Sequence, residues 1–361
     1  MVPLFLIAVM LLPLIGCRTM PSATGKDYEV VVIVQGRLWN IMEGEIRGTL
    51  QRPVFGVHTE KAFRLIQVEP EKPKPFNTWR KILVIGSVEG TPIVRDLLGD
   101  EELKSIESGK AYLKPLKNVW ALGQYVLLCY TKHSEFLPGA FASSRETVFS
   151  LINDAFLEEE RRRMFTSGVN EKIAEYFAGQ YGFSILLPQI YRLADEDTLQ
   201  VAFDDEQSIQ MNAIRFFNIN PQRSFLVCWK EGSLPQIDEE WVQKLRQAIG
   251  RIYYPGDELL IHRVESTSTA FGNLPAVRLR GVWENKEELQ GGLFITYAFN
   301  CPENDRFYLI DGILYQPNPE RSKYPYLVQL SMIMHSFDCS ADSVITDVST
   351  EGYSIDMDDL F

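Results

Sequence analysis

The sequence predicts an α+β protein built as two sandwich-like units with mainly antiparallel sheets. Three observations lead there. Short apolar runs with strand periodicity recur through both halves, and amphipathic stretches of helical spacing separate them. The length of 361 residues exceeds one ordinary core and suits two. A hydrophobic fraction of 45% with 12% aromatics points to packed cores, not disorder.

The first segment stands apart from the fold. Residues 1–16 carry no charged side chain and are dominated by Leu, Ile, Val, Met and Phe. A helical crossing needs roughly 20 apolar residues, and Pro3 and Pro13 disfavour one continuous helix, so the run reads as a signal-peptide core. It ends in Leu14-Ile15-Gly16-Cys17, which resembles the bacterial lipobox, although the usual basic residue before the apolar core is missing. The resemblance implies cleavage between Gly16 and Cys17 and attachment of diacylglycerol and an N-acyl chain to Cys17. No other cofactor is expected. One acyl chain holds a protein only marginally, whereas two or more hold it stably. Residues 17–26 are small and polar and read as a flexible tether. No Asp directly follows Cys17, which by resemblance to known sorting signals implies the outer membrane, facing the periplasm.

The first unit is expected over 27–165. Strands are predicted at 28–35 and 63–68, with a helix over 38–50 between them. A proline-rich loop covers 69–76. A strand at 81–86, a short helix at 92–98 and strands at 111–115 and 119–130 follow. Ser143 and Glu146 have capping-box spacing, so a helix is expected to start there, with Val148, Leu151, Ile152, Ala155 and Phe156 on its apolar face. The run from Glu158 to Arg163 reads as a solvated face with helical Glu–Arg pairs. A connecting helix over 166–180, capped by Asn170, carries Ile173 and Phe177 into Gly179.

The second unit is expected over 181–338. Strands are predicted at 183–187, 213–219 and 224–229. A helix capped by Asp238 should end at Gly250. Strands at 258–264, 275–283, 292–300 and 306–310 follow, and Pro325 opens a last helix with Leu327, Leu330, Met334 and Phe337 on one face. Residues 339–361 form an acidic tail in which 344–345 and 353–355 could add an edge strand. The halves share landmarks: residues 63–70 resemble 214–221, and 116–120 resemble 279–283. Either they are two diverged copies of one unit, or common strand-and-turn words coincide.

With the lipobox, the strand from Tyr28, Leu38-Trp39 and the run from Arg306 to Gly312 in place, the chain resembles a family of uncharacterised Bacteroidota lipoproteins, domain of unknown function 4837. The likeness would span nearly all of the mature chain and implies no known activity. The second half is also similar to the PsbP/Mog1-like fold through residues 181–184, 274–279 and 309–312. That likeness implies an α/β/α sandwich and a non-catalytic, protein-binding role.

The formal net charge of −12 argues against nucleic acid or an anionic membrane surface as partner, so the membrane is met through lipid. Cys129 and Cys228 lie in apolar strand-like runs and read as buried free thiols; Cys301, in a turn, and Cys339, after a helix, can pair after export. GxSxG, HExxH, GxGxxG and GxxxxGK motifs are absent from the sequence. Ser184 reads as a strand residue, and His58, His133, His262 and His335 lack metal-ligand spacing. Asp356, Asp358 and Asp359 lack the glycine and distal glutamate of a calcium loop, and Asp204 and Asp205 form a carboxylate pair only if the fold brings them to a cleft. Trp229 and Trp283 read as core, whereas Trp39 and Trp79 flank loops and are candidates for exposed contacts. The sequence therefore favours a non-catalytic binding or assembly module for an envelope protein partner. An envelope hydrolase with an unrecognised site and a solute-binding lipoprotein are the alternatives.

Overall fold

Five strands make the first sheet, and its central strands are apolar at consecutive positions because both faces are covered. The structure, a computed structural model, describes residues 20–72, 74–202, 208–339 and 360. Cys17 and the lipobox, Asp204 and Asp205, residues 356–359 and nearly all of the acidic tail lie outside the described residues. The first unit runs β1 (Glu29–Ile33), α1 (Gly36–Leu50), β2 (Pro53–Val54), β3 (Glu60–Lys61), β4 (Arg64–Val68), β5 (Lys81–Ser87), α2 (Pro92–Asp96), α3 (Asp100–Ser105), β6 (Tyr112–Lys117), β7 (Tyr125–Thr131) and α4 (Leu137–Met164). Its sheet order is β4-β1-β5-β7-β6, parallel except for β6 on β7. Val30, Val32 and Leu83 pack with Met42 of α1 and Ile152 of α4, while Val31, Ile33 and Ile82 pack with Val94 of α2.

The second unit runs α5 (Glu171–Tyr181), β8 (Arg192–Ala202), β9 (Ser208–Ile219), β10 (Gln222–Glu231), α6 (Glu239–Tyr253), β11 (Asp257–Leu259), β12 (Glu265–Phe271), β13 (Leu274–Asn285), β14 (Gln290–Cys301), β15 (Arg306–Tyr315) and α7 (Tyr324–His335). Its eight strands are antiparallel in the order β11-β13-β14-β15-β10-β9-β8, with β12 also beside β13. Val242, Leu245 and Ile249 of α6 cover one face, and α7 covers the other. The chain is thus α+β with two large sheets, a small β2–β3 pair and mainly antiparallel pairing among the described residues.

The helix α7 has ten of its twelve residues buried, where the sequence offered one apolar face. The reason is α4, which lies across it. Phe156 stacks on Tyr324 at 5.0 Å, and the Tyr324 hydroxyl bonds Asn153 Oδ1 at 2.6 Å. A helix walled on every side is apolar all round. One continuous core therefore runs from the first sheet through α4 and α7 to the second.

The two-copy reading ends on the strand orders. Residues 63–70 hold an outer strand in parallel register with β1, whereas 214–221 close the antiparallel β9–β10 hairpin. Residues 116–120 leave an edge strand for a turn, but 279–283 lie inside β13.

Other boundaries move for local reasons. The helix α4 begins at Leu137 with Pro138 in its first turn, so Ser143 is no cap and bonds Ala140 O at 2.9 Å instead. The strand expected at 119–130 starts only at Tyr125, after a turn with Asn118 and Gly123 at positive φ. Asn170 and Asp238 do cap α5 and α6. However, α5 ends at Gly182 in the left-handed region, and α6 continues past Gly250 to Tyr253. Residues 183–187 form only an isolated bridge, Ser184 to Asp338. The span 258–264 splits into β11 and a 3-10 turn.

Residues 17–26 were expected to be a flexible tether, yet part of this stretch is stitched to the first sheet. Leu122 N donates to Pro21 O, Ala23 N to Leu122 O, Thr24 N to Thr78 O and Arg80 N to Thr24 O, all at 2.8 Å. Gly25 sits at φ +88° beneath the Trp79 ring, and a Cβ there would lie 2.4 Å from Trp79 Nε1. Gly25→Ala is expected to cost about 1–3 kcal/mol through backbone strain plus displacement of the indole. Urea unfolding of the variant measures it, and an unchanged midpoint would refute the clamp.

Candidate functional site

In parallel sheets ligands usually settle beyond the carboxyl ends of the strands, at the switch in strand order. Here that edge is occupied by the chain itself. Gln35 Nε2 donates to Gly90 O at 2.9 Å, Gly36 N donates to Glu69 Oε2 at 3.1 Å, and His133 Nδ1 meets Glu89 Oε2 at 2.9 Å.

The opposite end of the sheet is more unusual, because charge is buried there. Lys81 opens β5 with 1% of its surface exposed, and its Nζ lies 2.5 Å from Glu159 Oε2. Burial lowers its pKa, and Glu159 opposes the shift. Arg80 Nη1 holds the other Glu159 oxygen at 2.9 Å. One residue on, Glu160 is fully buried between the two units. It accepts from Gln329 Nε2 of α7 at 2.9 Å and from Arg163, which also grips Asp27. Gln329 in turn accepts from buried Arg223 of β10. Burial pushes the Glu160 carboxyl up to about 7, against the pull of the Gln329 hydrogen bond and the Lys81 charge. Within the charge run of α4, expected to be solvated, Arg162 is exposed, but Glu160 turns inward to the joint between the units. The second unit roofs this turn of α4.

Beside the joint, a cavity of about 190 Å³ opens between the starts of β5 and β7 and the outer side of α4. Its charged lining is Arg80, Lys81, Lys117 and Arg162 against Glu158 and Glu159.

A second concavity, about 500 Å³, is apolar and lies at the far end of the second sheet. Leu234, Pro235 and Ile237 form one wall, and Leu274, Pro275 and Val277 of β13 form the other. Ser268 and Thr269 of β12 border it. Among the described residues β12 pairs with no strand but β13, and the Glu239 carboxylate of α6 accepts a backbone hydrogen bond from Ser268. Ser266 and Ser268 are oriented by Glu239 of α6 at 2.8 and 3.0 Å. An apolar groove bordered by a strand at the margin of a sheet can take an extended peptide.

The residues singled out in the sequence fare differently. Cys301 and Cys339 are joined as a disulfide, which occupies the sulfurs that would otherwise face Glu303 as metal ligands. Cys129 and Cys228 are buried thiols whose pKa values burial raises, to about 12 for Cys129 and well above the ordinary value for Cys228. Trp39 and Trp79 are half-buried, not exposed. Arg47 lies over the Trp39 ring, and the Trp79 indole nitrogen is buried under the N-terminal clamp. Ser184 is buried, His335 stacks on Phe271, and Trp229 and Trp283 are core. Sequence reading missed Glu160, although positions 148, 152, 156, 160 and 164 make one buried stripe at helical spacing.

Each half matches a family of its own. Residues 23–165 match one domain of unknown function, DUF8532, and residues 170–336 match another, DUF4837. The expected likeness to DUF4837 over nearly the whole chain is thus confined to the second half. This agrees with the two strand orders. No curated protein is similar enough to match the chain.

Proposed function

We propose that this chain is a lipid-anchored module of the bacterial envelope, held through Cys17 at the periplasmic face of the outer membrane, that binds a protein partner and is not an enzyme. The observation that carries the reading is the clamp of residues 21–24 on the first sheet. It leaves only Cys17, Arg18, Thr19 and Met20 between the lipid and the fold, a reach of about 14 Å. A body held so closely presents fixed surfaces to its surroundings. The joint of α4, α7 and β10 keeps the two units in register, as a scaffold needs. The apolar groove along β12 supplies a surface suited to an extended segment of a partner.

Detergent phase partition and mass spectrometry of the N-terminal peptide test the anchor. Wild type is expected in the detergent phase with acylated Cys17, and a chain begun at residue 17 with Cys17→Ser in the aqueous phase. A native chain starting with an unmodified residue would sink the anchor. For the partner, a photo-crosslinker at Thr269 in cells should give one discrete adduct. The same group at Leu289, at the opposite end of β13, should give none; equal labelling at both sites would remove the groove from the reading.

A further inference from the structure

We infer that the cavity beside Glu159 is a headgroup site, in which Arg80, Lys117 and Arg162 receive the phosphate of an anionic membrane lipid. The inference rests on the lipid-anchor reading for its geometry. Leu122 and Gly123 line the cavity, and Leu122 exchanges backbone hydrogen bonds with Pro21 and Ala23. The lipid-bearing Cys17 precedes Pro21 by four residues, so the cavity mouth lies within tether reach of the bilayer.

Two further observations fit that placement. Leu122, which lines the pocket, is 53% exposed, and Met20, next to the Pro21 that accepts from Leu122, is 39% exposed, large apolar side chains as at a surface resting on a membrane interface. The local charge also opposes that of the chain. The lining holds four basic residues and two acidic ones, in a protein of net charge −12. Glu159 is shared by Arg80 and Lys81, Glu158 faces Lys117 at 3.2 Å, and Asp27 lies 3.8 Å from Arg80. Arg162 is exposed and has no acidic partner among the described residues. Beyond about 8 Å the remaining negative charge is screened at physiological salt, so a headgroup at the mouth experiences the local cations. The overall charge weakens recruitment from solution, so the lipid on Cys17 supplies most of the membrane affinity and the pocket adds a smaller part that depends on the headgroup. The pocket would then set which face the anchored body turns to the bilayer.

The mature chain, begun at residue 17 and carrying Cys17→Ser, separates headgroup binding from anchoring. At physiological salt it is expected to float with vesicles carrying about 30% phosphatidylglycerol and not with purely phosphatidylcholine vesicles. Lys117→Glu with Arg162→Glu should weaken flotation at least about 25-fold, at roughly fivefold for each surface cation. Leu122→Ser should weaken it as well without touching the charges, and circular dichroism checks that each variant is folded. Flotation that ignores all three substitutions, or is absent on both vesicles, overturns the headgroup site. So does release by about 10 mM inorganic phosphate, which would mark a free-anion pocket. The anchor is judged separately, by the N-terminal mass of the native chain, so either claim can fail alone.

Discussion

Glu160→Ala is expected to destabilise the protein by about 3–5 kcal/mol, the range for breaking a buried charged network by removing one member. The truncation strips Gln329 of its acceptor and leaves a void between α4 and α7, while Arg163 retains only Asp27. Glu160→Gln should be far milder, because an amide fills the same volume and still offers an oxygen to Gln329. The two variants also separate by pH. Burial raises the Glu160 pKa from its ordinary 4.5 to about 7 in the folded chain. Between those values the unfolded chain has released the proton and the folded chain has kept it. Stability from this group is therefore fully present below pH 4.5 and is lost as pH rises to about 7, a change of about 3 kcal/mol. Glu160→Gln has no such proton, so its stability should fall less than wild type between pH 5 and 8. Urea unfolding of both proteins at the two pH values decides the matter, and parallel pH dependence would show that Glu160 is not the group responsible.

That joint also marks where the sequence was legible and where it was not. Strands buried on both faces, such as β5 and β10, announce themselves as apolar runs. The caps Asn170 and Asp238 are local chemistry, and local chemistry is readable. Edge strands of the first sheet, β4 and β6, were expected, but β8 and β12 of the second were missed. The strand β8 opens Arg-Leu-Ala-Asp-Glu-Asp-Thr and has only Leu199 and Val201 buried, both near its end, and β12 is mostly Ser and Thr. Edges carry polar side chains to discourage further pairing, which erases the alternation that identifies a strand. The charge run of α4 misled for another reason. Whether Glu160 meets water or Gln329 depends on a helix about 170 residues further on, and nothing within α4 records that. The apolar stripe running through Phe156 to Met164 did record it, and extrapolating the stripe over the charged residue was the available signal.

Breaking the Cys301–Cys339 bridge is expected to cost about 4 kcal/mol, the chain-entropy value for a loop closed across a sequence separation of 38. The bridge ties the end of β14 to the segment just past α7, so it encloses β15 and the helix on which both units pack. Local bonds support the same closure: Asn304 Nδ2 donates to Cys339 O at 2.8 Å, and Asp338 and Ser184 exchange backbone hydrogen bonds at 2.8 and 3.0 Å. These survive reduction and should hold the native structure below its lowered midpoint. Wild type with reductant and the double variant Cys301→Ala, Cys339→Ala should then show similar midpoints in urea, and reductant should leave the variant unchanged. Because Phe156, Tyr324 and Asn153 link α7 to α4, the first unit should feel the loss although it contains neither cysteine. Hydrogen exchange of β1 and β5 amides reads that directly. Faster exchange there after reduction means the two sheets unfold as one cooperative body, whereas unchanged exchange would mean that the α4–α7 contact transmits little and the units are stable independently.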